Sequence, residues 1–92
     1  MQNKLTLQKF GHKQCNPCVR MQPVLEQIST QYKDIVDVQD KDTTTLSVEE
    51  LISASIKSVP TLIILKDGVE QWRRAGFMDY NSLKEEIDKH LS

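Results

Sequence analysis

The segment KQCNPCVRMQP, residues 13–23, carries both cysteines of the 92-residue chain, Cys15 and Cys18, with two residues between them and Pro17 beside the second. Thiols at this spacing fit a redox couple, half of a metal site, or two ordinary buried side chains. They close too small a ring to staple a fold, so they are not the disulfide framework of a secreted scaffold. Downstream, Met21, Val24, Leu25, Ile28 and Tyr32 recur at helical spacing and form an apolar stripe of about three turns, which predicts a helix from Cys15 onward. Pro17 suits its first turn, where a missing N–H costs nothing. Pro23 lies inside it, removes the hydrogen bond to the carbonyl of Val19, and predicts a kink.

The flanking sequence reads as alternating strands and helices. Residues 4–10 alternate, with Leu5 and Leu7 on one face and Phe10 on the other, as in a strand that feeds the cysteine loop. Residues 34–40, DIVDVQD, predict a second strand, followed by a polar loop, DKDTTT. Ser47 and Glu50 form a capping-box pattern, with Leu46 and Leu51 placed as a staple, so a short helix should start at Val48. VPTLIIL, residues 59–65, is β-branched and continuously apolar, as expected of a strand buried on both faces. Lys66, Asp67 and Gly68 then turn the chain into VEQWRRA, a hairpin partner. Asp79 caps a last helix with Met78 and Leu83 as its staple and Leu83, Ile87 and Leu91 as its buried stripe. The order is β-α-β-α-β-β-α, an α/β domain with a mixed sheet and helices on both faces.

Composition narrows the function. The length suits one domain, with 27% charged and 38% hydrophobic residues. A formal net charge of -1 and the lack of any basic block leave no electrostatic footprint for nucleic acid. The amino terminus has no continuous apolar core of the kind a secretory signal needs, and the longest purely apolar run, Leu62 to Leu65, is too short to span a bilayer. A cytoplasmic, monomeric protein is expected.

A Cys-X-X-Cys pair that opens a helix is suited to thiol chemistry. The free N–H groups and positive dipole end of the first turn favour a thiolate on the first cysteine. Cys15 would then be the nucleophile, and Cys18, one turn on, would resolve the mixed disulfide and leave an intramolecular one.

CNPC, Pro23 five residues beyond it, VPT at 59–61, KDG at 66–68 and Gly76 before a final amphipathic helix together resemble the thioredoxin family over nearly the whole chain. The resemblance implies a thioredoxin-like fold lacking the N-terminal strand and helix. It implies a cis Val59–Pro60 bond lying against the cysteines, with Asn16 and Pro17 supporting the site. The backbone of Val59 would pair with an extended substrate segment, with Gln14 on the same surface and Gly76 letting it approach closely. The expected activity is reduction of disulfides in protein substrates without a bound cofactor, the dithiol being regenerated by a thioredoxin-reductase-like or glutathione-dependent donor. Three positions depart from the family's pattern: Gln14 replaces the usual aromatic, Asn16 the usual glycine, and Lys9 an aspartate that often accepts the resolving thiol's proton.

Two readings of Lys9 follow. Its charge lies near the sulfurs, lowers a thiol pKa and makes the couple more oxidising, or the lysine extends along the surface to solvent. His12, three residues before Cys15, is either a thiolate or proton partner or an exposed loop residue. His90 meets the dipole of the last helix. Trp72 reads as a surface or rim aromatic, and Arg73 with Arg74 as a solvated edge that discourages strand pairing. Two alternatives stay open: a glutaredoxin-like reductase of glutathione mixed disulfides, and a non-enzymatic module that binds a partner or, as a dimer, a metal.

Overall fold

The computed structural model describes residues 4–91. Seven main elements follow the expected order: β1 (Leu5–Gly11), α1 (Asn16–Gln31), β2 (Val36–Asp42), α2 (Val48–Ser53), β3 (Thr61–Lys66), β4 (Val69–Ala75) and α3 (Tyr80–Lys89). They form one four-stranded sheet in the order β2-β1-β3-β4, with β1 parallel to β2 and β3 antiparallel to both of its neighbours. The parallel pair is joined through α1, and the antiparallel pair β3–β4 by a two-residue turn. Asp67 and Gly68 both have positive φ there, the combination that matches the twist of a tight hairpin.

The two faces of the sheet are covered unequally. Leu5, Leu7, Leu62 and Ile64 point to one face and pack under Met21, Val24, Leu25 and Ile28 of α1 and Leu83 and Ile87 of α3. Met78 joins this core, while Trp72 and Leu91 pack at its margin. Phe10 is buried outside it, beside a hollow lined also by Leu46, Ser47 and Ala54. The six-residue α2 therefore lies over the opposite face, and none of its own residues is buried. Its start is fixed by hydrogen bonds in both directions between Ser47 and Glu50, the capping box legible in the sequence.

Three local expectations change. The second strand begins at Val36 and runs to Asp42, because the N–H groups of Ile35 and Val36 both donate to the carbonyl of Tyr32 and extend the turn past α1. Part of the polar stretch taken for a loop is thus paired strand, followed by a 3-10 turn, Thr43–Thr45, capped by Asp42. Pro23 lies inside α1, which runs through it as a single 16-residue helix. Arg73 is not simply solvated: its guanidinium grips Glu70 with two bonds of 2.7 Å and donates to the carbonyls of Ala54 and Ser55 at the end of α2.

Candidate active site

Strand β1 ends at Gly11, and a four-residue loop delivers the chain to the start of α1. Cys15 is the N-cap residue, in extended conformation, and its Sγ accepts a hydrogen bond from the backbone N–H of Cys18 at 3.2 Å. The sulfur fills the place usually taken by a serine or aspartate oxygen, so the first-turn amide is aimed at it. Asn16 and Pro17 occupy the first two helical positions. Cys15 and Cys18 form a disulfide. Their environments differ: Cys15 is partly exposed, whereas Cys18 is completely buried.

Gly11 makes room for the buried partner. A Cβ on this glycine would lie 2.6 Å from Sγ of Cys18, 2.9 Å from its Cβ, and 3.2 Å from Cε of Lys9. Strand, lysine and buried sulfur meet at this point because the glycine has no side chain.

The loop before β3 closes the other side. The Val59–Pro60 peptide is cis, and Pro60 is fully buried. The β1–β3 register ends with Phe10 opposite Thr61, so Pro60 immediately precedes the paired strand at the end of β1 that leads into the cysteine loop. The Pro60 carbonyl accepts from the N–H of Gly76 at 2.8 Å, and Gly76 takes φ +100, a conformation that strongly favours glycine. Val59 and Gly76 are both partly exposed here, and Gln14 is exposed on the cysteine loop. Arg20 of α1 stacks over Phe77 with 4.6 Å to the ring centroid, a cation–π contact beside Gly76.

Lys9 does not extend along the surface to solvent. Only 3% of it is exposed, and its Nζ donates to Oδ1 of Asp40 at 3.1 Å, the residue opposite it in β2. Asp40 in turn accepts from Nε2 of Gln22 at 2.6 Å. This ion pair borders a cavity of about 380 Å³ lined by Lys9, Gly11, His12, Val19, Gln22 and Asp40 among others. A shallower hollow of about 260 Å³ reaches from His12 to Val59. His12 lies between the two, its carbonyl accepting from the N–H of Cys15 and its Nδ1 buried without a partner among the described residues. His90 is remote from all of this and faces Glu86 on its own helix. Among the described residues, no cluster of three or more His, Cys, Asp or Glu side chains is set to hold a metal ion.

Sequence reasoning did not single out Gly11, Gln22 or Asp40. Asp40 falls where the expected strand ends and the polar loop begins, and only the observed parallel register sets it directly opposite Lys9.

The thioredoxin family model matches residues 1–89. The chain belongs to the thioredoxin family. A thioredoxin of Staphylococcus aureus is 37% identical over 81 residues, which is 84% of this chain and 73% of the relative. Among solved structures, thioredoxin-2 of the malaria parasite superposes with a TM-score of 0.89 at 26% identity, covering 98% of this chain and 86% of the other. A variant thioredoxin from Halobacterium salinarum gives 0.88 at 26% identity, covering 98% and 77%. With its cysteine pair disulfide-bonded at the start of α1, this member of the family is a thiol–disulfide oxidoreductase. Membership implies protein disulfides as substrates and a reductase as electron donor in general terms, and the comparisons give the glutaredoxin-like alternative no advantage. Among the described residues, no helix is long and apolar enough to cross a membrane.

Proposed function

We propose that the protein works as a monomeric cytoplasmic reductant of protein disulfides, with Cys15 as the attacking thiolate and Cys18 as the resolving thiol. The observation that carries the assignment is the asymmetry of the pair. Cys15 is partly exposed and its Sγ accepts the first-turn amide, whereas Cys18 is completely buried. A substrate disulfide can reach only the first sulfur, and an N–H donor on that sulfur favours its thiolate. Attack forms a mixed disulfide between Cys15 and one substrate sulfur and releases the other as a thiolate. Cys18 then displaces the first, leaving substrate dithiol and the internal disulfide.

Substrate would lie across Val59 and Gly76, pairing main chain to main chain with the loop before Pro60, while Gln14, Asn16 and Pro17 shape the rim beside Cys15. The tie between Gly76 and the Pro60 carbonyl supports this reading, because it holds both candidate contact segments together. A thioredoxin-reductase-like flavoenzyme or a glutathione system would return the electrons.

Equilibration with graded thiol and disulfide buffers, counting free thiols by mass, tests the direction of electron flow. A potential near -270 mV, that of known thioredoxin, supports a reductant, and one near about -180 mV or higher identifies an oxidant or isomerase. Failure to form an internal disulfide at any poise would overturn the redox role.

A further inference from the structure

Lys9 is a buried cation that the exchange chemistry above does not use. An ammonium in this position is costly unless paired, and its partner is Asp40. The pair is unequally placed: the lysine side chain is 4% exposed and the aspartate 42%. Water therefore screens the carboxylate more effectively than the ammonium. The end of the lysine stem and the sulfur of Cys18 flank the same gap over Gly11, within 3.2 and 2.6 Å of one point. No side chain on Gly11 stands between them.

We propose that Lys9 is a positioning residue that stabilises the Cys18 thiolate electrostatically during resolution, and that Asp40, by holding the ammonium toward solvent, limits the effect. The proposal rests on the roles given above to Cys15 and Cys18. In the resolving step the Cys18 thiol loses its proton to solvent, and its sulfur attacks Sγ of Cys15 in the mixed disulfide. The Cys15–Cys18 bond forms as the bond from Cys15 to substrate breaks, and the substrate sulfur leaves with the electron pair and takes a proton from water. A thiolate formed in a fully buried place is penalised by desolvation, and a nearby cation in a low-dielectric setting offsets that penalty. The other charged or titratable groups around the cavity are Lys13, His12 and Asp42; α1 adds only Val19 and Gln22, and the residue opposite Lys9 in β3 is Leu62.

The test follows the two steps separately, using reduced full-length protein and an aryl disulfide reagent whose released thiol is coloured. The first release is bimolecular and reports Cys15. The second is unimolecular, independent of reagent concentration, and reports Cys18. In Lys9→Met the unimolecular phase should slow by about tenfold at neutral pH, with its pH midpoint moved upward. In Asp40→Asn, where the ammonium has lost its counter-ion, that phase should accelerate and its midpoint should fall. An unchanged second phase in Lys9→Met overturns the proposal, as does an equal slowing in both variants, which would make the pair a structural clamp or Asp40 the proton acceptor. If Lys9→Met does not fold, Asp40→Asn decides alone, and anything but acceleration refutes the idea. Absence of the bimolecular phase in the unaltered protein would instead count against the role of Cys15.

Discussion

Sγ of Cys18 stands 2.6 Å from the point where a Cβ on Gly11 would lie. No real Cβ contact is that short, and the neighbour is a fully buried side chain at the start of a packed helix. Gly11→Ala therefore cannot be accommodated by a rotamer change. Overpacking of this kind costs about 1–3 kcal/mol, so the denaturant midpoint of Gly11→Ala should fall accordingly, with Cys18 becoming accessible to alkylation in the reduced protein. An unchanged midpoint would mean that the end of β1 and the start of α1 are not in the contact described.

The C-terminal end of α1 is tied to α3 through Tyr32, whose hydroxyl donates to Asp88, a carboxylate that also accepts from Lys84. Burial, then the bond to Asp88, holds the phenol above its ordinary value of 10.0. The bond from Tyr32, then that from Lys84, holds Asp88 below its ordinary 3.8. The signs give two pH windows. The Asp88 contribution is present above 3.8 and lost as pH falls through the lower folded value, and the Tyr32 contribution is present below 10.0 and lost as pH rises through the higher one. Tyr32→Phe should cost about 0.5–1.5 kcal/mol at neutral pH. It should also abolish the tyrosine's alkaline term and weaken the acid one, which Lys84 still sustains. Denaturant titrations at a series of pH values read both arms.

Arg73 gives α2 its attachment to the sheet. The helix buries none of its own residues, so the two guanidinium bonds to the carbonyls of Ala54 and Ser55 matter more than their exposure suggests. Arg73 also holds the Glu70 carboxyl below its usual range. Arg73→Lys keeps the charge and loses the fork. It should cost about 1–2 kcal/mol and, more tellingly, speed hydrogen exchange across residues 48–54 relative to the core strands.

Much of this was legible in the sequence because it is local. The CNPC pair at a helix start, the Ser47–Glu50 capping box, the Asp67–Gly68 turn and the Asp79 cap are each short patterns whose local conformation needs no distant partner, and each appears as a hydrogen bond or dihedral of the expected kind. The extent of β2 was not legible, since Asp40, Lys41 and Asp42 look like loop and become strand only by pairing with Lys9, Phe10 and Gly11. The burial of Lys9 belongs to the same class. A lone lysine in an alternating strand carries no mark of its partner, and Asp40 lies 31 residues away. The bonds of Arg73 were hidden for an equivalent reason, its acceptors just past the end of α2 being 18 and 19 residues distant.

The most direct measurement is to trap the intermediate. Reduced Cys18→Ser is mixed with a protein disulfide substrate, and the adduct is digested and mapped by mass. Attack by Cys15 predicts a stable mixed disulfide on Cys15 that accumulates because nothing resolves it, while Cys15→Ser forms none. An adduct on Cys18 in Cys15→Ser, with none on Cys15 in Cys18→Ser, would contradict the assignment of Cys15 as nucleophile.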